Sequence, residues 1–346
     1  MPGTANDMTG ATAISVMDAT RAIAAKTKPL GALGQLEDVA VRLALLQRTL
    51  APVVERTRVC VFAGDHGVTD EGVSAYPRAV TAEMTKNFDR GGAAINVIAA
   101  ALGVSVDVID VGIDCDDERP GQRVGRVRRG SRNMVVEPAM THDELAAALA
   151  VGSDAARAAH DDGIQALGLG EMGIGNTTAA AALLSGLSGR PASDTVGRGT
   201  GVDDAGLKRK AVAIEKGLAL HGDALGDPLR TAAALGGREL AAIMGATLAA
   251  RHKRVPVLLD GFVCTAAAAP LQKLDPTGLA HALAGHVSAE AGHRGLLEAM
   301  RLFPLLDLGM RLGEGSGACL AVNVVRSALA CHAVMASFAE AGVSEK

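Results

Sequence analysis

Aromatic side chains are nearly missing from this 346-residue chain, which has five Phe, one Tyr and no Trp. Without them there is no stacking platform for single-stranded nucleic acid, and the core must be packed from Ala, Val and Leu. An excess of charge is missing too. With 34 basic and 38 acidic residues the net charge is -4, so no global field draws the chain to nucleic acid or to an acidic membrane. Any anion must be met locally. The five cysteines, Cys60, Cys115, Cys264, Cys319 and Cys331, are scattered, odd in number and never spaced as CxxC. They read as reduced, mostly buried thiols of a cytoplasmic protein. No basic region followed by an apolar stretch opens the chain, and no window of about 18 uninterrupted apolar residues occurs, so neither a signal peptide nor a membrane span is expected. Metal-ligand spacing is absent as well. His66, His286 and His293 lie in no HExxH or similar pattern, and Asp65 and His66, being adjacent, cannot face the same side of a strand. Neither a metal nor another cofactor is expected.

What is present is a βα alternation. Short apolar runs end abruptly in glycine and polar residues, and Ala/Leu-rich segments of helical periodicity separate them, the pattern of a parallel sheet. The candidate strands are 58–63, 104–111, 164–169, 255–259 and 283–287. The polar clusters that follow them, at 64–68, 112–116, 170–178, 260–263 and 288–294, should gather beyond the carboxyl ends of the strands, where open α/β sheets bind ligands. The expected fold is therefore α/β, with a large domain built on a mostly parallel Rossmann-like sheet flanked by helices. The two ends, about 11–50 and 295–341, read as helical without a convincing strand. We accordingly expect an α/β nucleotide-binding domain over 51–294 and a small helical domain built from both termini, 1–50 with 295–346. The charged, glycine-rich stretch 114–132 reads as an exposed excursion without chemistry.

Three glycine-rich segments carry chemistry. In GLGEMGIGNTT, 168–178, four glycines can adopt backbone angles closed to other residues, so that N–H groups converge on an anion at the start of a helix near Asn176. A strand-to-helix turn that binds nothing would look similar. Gly168, Gly170 and Gly173 also satisfy GxGxxG, with Asp194 about where a ribose-binding acid is sought, but Asp194 precedes a glycine-broken segment instead of ending a strand. No GK[ST] follows, which excludes a P-loop. The second segment, GRGTG at 197–201, is followed by Lys208, Arg209 and Lys210; these suit a phosphate or line a solvated helix face. In the third, LGEGSGACLA at 312–321, Glu314 stands unshielded between Gly313 and Gly315. It could serve as a general base beside an apolar wall, or cap the helix expected from Ser316. GEGSG is not the GxSxG elbow of serine hydrolases.

Taken in order, AGDHGV (63–68), GEMGIGNTT (170–178), GRGTG with its Lys, LDGFV (259–263), GHVSAEAGH (285–293) and LGEGSGA (312–318) resemble the nicotinate-nucleotide:dimethylbenzimidazole phosphoribosyltransferases, over about 31–341. The resemblance implies transfer of phosphoribose from nicotinate mononucleotide to 5,6-dimethylbenzimidazole, with no cofactor. It places Glu171, Gly173, Ile174, Gly175, Asn176, Thr177, Thr178, Gly199, Lys210 (or Lys208), Asp260 and Ser288 at the nucleotide. Glu314 is then the catalytic carboxylate, and Tyr76, Met84 and Leu312 lie against the acceptor base. Tyr76 and Met84 stand where some relatives carry smaller or amide side chains, which leaves the preferred base open. The resemblance also implies a homodimer that binds neither nucleic acid nor membrane. Two other classes remain: an NAD-dependent dehydrogenase, which would leave LGEGSGA and GRGTG idle, and a nucleotide-binding regulator with no need of Glu314.

Overall fold

The computed structural model describes residues 14–116 and 123–344. Its centre is a seven-stranded sheet of β1 (Thr57–Gly64), β2 (Ser105–Gly112), β3 (Arg123–Val124), β4 (Ala166–Met172), β5 (Val257–Leu259), β6 (Ala282–His286) and β7 (Pro304–Leu306). The order is β3-β2-β1-β4-β5-β6-β7, and every pairing is parallel. The order reverses between β1 and β4, so the loops leaving these two strands diverge and open a crevice at their carboxyl ends. Both strands are covered on both faces. Val59, Cys60, Val61, Phe62 and Ala63 of β1 are all buried, which is why β1 reads as a continuous apolar run without alternation.

All five expected strands form, and two others were missed. β3 and β7 have two and three residues, too short to leave a period in the sequence. β7 also overturns the expectation that no strand lies within 295–341. The expected excursion at 114–132, of which 117–122 lie outside the described residues, is likewise tied down. It contributes β3, Arg126 forms a 2.7 Å ion pair with Asp110 of β2, and the Gly130 carbonyl accepts from the buried Arg238.

The chain divides into two compact units, 1–55 with 324–346 and 56–323, so the division within the C-terminal part falls some thirty residues beyond the expected one at 294/295. The larger unit holds the whole sheet. Scarcity of aromatics is met by close backbone approach: helix His142–Asp161 packs on helix Arg238–His252, where a side chain at Gly152 or Gly245 would strike the carbonyl of Ala242 or Leu149. In the smaller unit, helices Val16–Ala24 and Gln35–Gln47 precede the return of the chain in the second half of helix Ser316–Val334. That helix is long and apolar enough to cross a membrane by length and composition, but half of it is buried within the protein. Such burial is the mark of a core helix in a folded domain.

Candidate functional site

The carboxyl ends of β4, β5 and β6 and the segment Arg311–Glu314 enclose a cavity of about 590 Å³, within the usual size range of small-molecule sites. Three turns build it.

The first turn follows β4. Gly168 and Gly170 were expected to bend it, yet both lie inside β4. They are glycine because Val59 of β1 and the Glu314–Gly315 backbone pack against them. The anion-facing part is therefore shorter than 168–178 and starts at Gly173. Gly175 takes φ +97° as N-cap of helix Asn176–Ser188, and no side chain caps that helix; the Asn176 and Thr178 N–H groups donate to the Gly173 and Gly175 carbonyls, and the positive end of the helix, with the Thr177 N–H, borders the cavity. Glu171, Gly173, Ile174, Asn176 and Thr177 line the cavity. Gly175 and Thr178, expected at the nucleotide, are not among the lining residues. Gly175 packs over His66, Val68 and Thr69, and Thr178 is fully buried.

The second turn is GRGTG. Gly199, at φ +55°, and Thr200 reach the cavity. Of the two candidate lysines, Lys208 is exposed, whereas the buried Lys210 sends Nζ to Thr177 Oγ1 (2.9 Å) and the Gly197 carbonyl (2.8 Å). It stands behind the lining, joining the second turn to the first. Burial lowers its pKa to about 8, opposed by Glu290; an arriving anion would restore the charged form.

The third turn carries Glu314. Gly313, Glu314 and Gly315 have φ of +88°, +64° and +82°, a left-handed run that costs a side-chain-bearing residue about 1–2 kcal/mol. Glu314 was expected either to cap the helix beginning at Ser316 or to face the ligand. It does not cap that helix: its Oε2 accepts from the Ile95 N–H (3.4 Å), in the first turn of helix Ala94–Leu102, and its carboxyl borders the cavity. Burial raises its pKa, the Ile95 N–H lowers it and the charge of Asp260 raises it, for a net upward shift.

Asp260, expected at the nucleotide, is not among the lining residues. It is buried at the end of β5, outside the lining, and accepts from Ala318 N–H (2.9 Å) and Gly315 N–H (3.2 Å). It is Asp260 that caps helix Ser316–Val334. Glu171 is held on one side by the Asn176 amide and lies against Gly313. Burial first, then the charges of Asp260 and Glu239, push its pKa to about 8, with Asn176 opposing, so near neutrality it is largely a neutral acid able to donate a hydrogen bond.

Ser288 also lines the cavity. Its N–H donates to His293 Nδ1 (2.8 Å), which leaves Nε2 as the protonated nitrogen facing Thr265 Oγ1 (3.0 Å). Burial, followed by His286, lowers the His293 pKa to about 3, so this histidine is a neutral strut. Tyr76, Met84 and Leu312, the expected base contacts, form the far part of the lining together with Val80.

Sequence reasoning missed several lining residues. Arg311 donates to the Gly199 carbonyl (3.0 Å) and is the one Lys or Arg lining the cavity among the described residues; its cue was its place three residues before Glu314. Glu290 and His286 lay inside the GHVSAEAGH block without a role. No group of His, Cys, Asp and Glu among the described residues is arranged to hold a metal ion. Asp194, the acid a dinucleotide fingerprint would need, is exposed on the short helix Ala192–Thr195 and away from the cavity.

Comparison with known proteins agrees with this geometry. A family model described as phosphoribosyltransferase matches residues 11–343. A nicotinate-nucleotide--dimethylbenzimidazole phosphoribosyltransferase of Mesorhizobium japonicum is 59 % identical over 332 residues, covering 95 % of this chain and 94 % of its own. One from Pseudomonas aeruginosa is 52 % identical, covering 92 % of each chain. The crystal structure of CobT from Thermus thermophilus superposes with a TM-score of 0.91 at 48 % identity, over 96 % of this chain and 99 % of that one.

Proposed function

Since the chain belongs to the phosphoribosyltransferase family, we propose that it moves 5-phosphoribose from nicotinate mononucleotide to 5,6-dimethylbenzimidazole or a related lower-ligand base. The products are nicotinate and α-ribazole 5′-phosphate, an intermediate of the cobalamin nucleotide loop. The observation that carries this reading is one cavity lined by the start of helix Asn176–Ser188 and a buried carboxylate, with a buried lysine behind the lining.

The 5′-phosphate takes the Gly173–Thr177 turn and Gly199, with Lys210 behind them supplying charge. A monoester held by backbone N–H groups and one lysine needs no metal. Arg311 is the cation available to the donor's second anion, the nicotinate carboxylate. Glu171, as a neutral acid, donates toward the ribose. The acceptor base lies against Tyr76, Val80, Met84 and Leu312.

Glu314 takes the N–H proton of one ring nitrogen of the base while the other nitrogen attacks C1′ from the face opposite nicotinate. As the new C1′–N bond forms, the bond to nicotinate breaks and its electron pair returns to the pyridinium nitrogen. The ring leaves neutral, so no general acid is required, and the anomeric centre inverts from β to α. The upward pKa shift of Glu314 suits this, because it makes the carboxylate a stronger base.

The five cysteines, scattered and never spaced as CxxC, support a cytoplasmic setting. Tyr76 and Leu312 are 51 % and 54 % exposed beside the cavity, large apolar side chains of the kind a second subunit covers, which supports a homodimer. Product analysis tests the function: nicotinate mononucleotide and nicotinamide mononucleotide are each mixed with a panel of benzimidazoles, purines and phenols. The expected result is an α-N-riboside phosphate and nicotinate from the first donor with benzimidazoles. Intact donor with every acceptor would refute the transferase reading.

A further inference from the structure

The turn that presents Glu314 strains one residue: Gly313 and Gly315 take the left-handed region freely, but Glu314 keeps it only where its surroundings over-determine it. Glu314 N–H reaches the Glu171 carbonyl at 3.3 Å, but Gly315 N–H and Ala318 N–H both end on the carboxylate of Asp260. Asp260 is 1 % exposed and contacts nothing in the cavity. Its remaining neighbour is His286, whose Nε2 stands 3.7 Å from Oδ1 and against which Gly317 packs. Burial raises the Asp260 pKa, while His286 and the N–H groups of Ala318, Gly317 and Gly315 oppose the rise. Both carboxylate oxygens thus face N–H donors at a helix N-terminus, the setting that favours the charged form of an aspartate even when buried.

We infer that Asp260 is the positioning residue for Glu314, pinning the Gly313–Gly315 turn and placing a second negative charge beside the base. The proposal rests on Glu314 being the base. Its physical content is twofold. The two N–H bonds fix where the Glu314 carboxyl points. The negative charge of Asp260 makes proton uptake by Glu314 easier and proton loss harder, partly offsetting the Ile95 N–H, which acts the other way. The other groups around the turn are Glu171 from β4, with Glu239 beyond it on helix Arg238–His252, and His286 from β6. Helix Ala94–Leu102 contributes only backbone N–H groups, the cavity-lining residues of helix Val80–Asp89 are apolar, and Arg311 is turned to Gly199. Glu171 meets the turn through its backbone carbonyl, whereas Asp260 holds the turn's N–H groups with its carboxylate and raises the Glu314 pKa through its charge.

The test is the pH profile of kcat/KM for Asp260→Asn, run beside the parent and Glu314→Gln. Asn keeps the size and one acceptor but loses the charge and turns an N–H₂ group toward one of the N–H donors. Turnover should fall about 10- to 100-fold, the cost of a displaced catalytic group, with the KM for nicotinate mononucleotide within about threefold. The ascending, acidic limb should move down by roughly one pH unit, because removing a neighbouring negative charge makes Glu314 easier to ionise. A structural role alone would lower turnover and leave the limb in place, and an unmoved limb overturns the proposal. Should Asp260→Asn not fold, Asp260→Ser keeps an acceptor for Ala318, lacks the charge and must show the same downward limb. An inactive Glu314→Gln beside an unmoved limb would sink the Asp260 proposal alone. A fully active Glu314→Gln would sink the base assignment and the proposal with it.

Discussion

The Gly173–Thr178 turn and the Leu312–Ala318 turn look alike in sequence and do opposite things. Each is glycine-rich, each leads into a helix, and each borders the same cavity. In the first, no side chain caps the helix; the Asn176 and Thr178 N–H groups turn back to the Gly173 and Gly175 carbonyls, and the Thr177 N–H at the cavity is left for a ligand's phosphate. In the second, Asp260 claims the Gly315 and Ala318 N–H groups, and the turn presents a carboxylate instead. A glycine-rich strand-to-helix turn is thus an anion site or a platform for a base according to what occupies the helix end, and the occupant comes from a distant part of the chain.

Filling the first turn should have the largest effect on this contrast. A Cβ at Gly173 would run into the Gly64 carbonyl, and backbone cannot yield as a side-chain tip can. Gly173→Ala should therefore shift the cradle and cut kcat/KM by about 100-fold, the scale of a misplacement of roughly 1 Å; steady-state kinetics with varied donor checks this. Removing the cation behind the cradle should do somewhat less. Lys210→Met should raise the donor KM by roughly 10- to 100-fold, the worth of one charge-assisted hydrogen bond. The pH dependence separates it from a packing defect: in the parent Lys210 loses its proton near pH 8, so donor binding weakens above that pH, and the variant should lack this limb.

The smallest effect falls on stability, at the point where the two turns meet. Glu171 has its pKa raised to about 8 in the folded protein against about 4.3 for a free glutamate. Between these values the folded state holds a proton that the unfolded state has lost, so stability falls as pH rises from about 4 to 8. Glu171→Gln removes that loss. Its melting temperature should match the parent's near pH 4.5 and exceed it by a few degrees at pH 8, as differential scanning calorimetry would show. A gap that is independent of pH would mean that Glu171 is ionised throughout.

Much of the fold was legible because parallel strands buried on both faces leave apolar runs, and β1, β2, β4, β5 and β6 did so. β3 has only two residues, the run that holds β7 contains Pro304, which argues against a strand, and the charged stretch around Arg126 hid its ion pair with Asp110. At the site, the block order located the cavity and the residues that reach it from three turns. What could not be read was direction. Gly168 and Gly170 are glycine for packing within a strand, Asp260 faces a helix end instead of the ligand, and Glu314 lies against a helix other than the one its neighbours begin. Each of these depends on which distant element occupies a given side of the residue. Lys210 could be told from Lys208 only once helix Asp204–Leu220 had a buried face.

The central claim is that the first turn binds and the third turn reacts. It is tested most directly by Glu314→Gln, with donor affinity measured by titration calorimetry and turnover measured on the same preparation. Nicotinate mononucleotide should bind within about threefold of the parent while turnover falls by roughly 10² to 10⁴, the usual contribution of a general base. Turnover within a few fold of the parent would contradict the account.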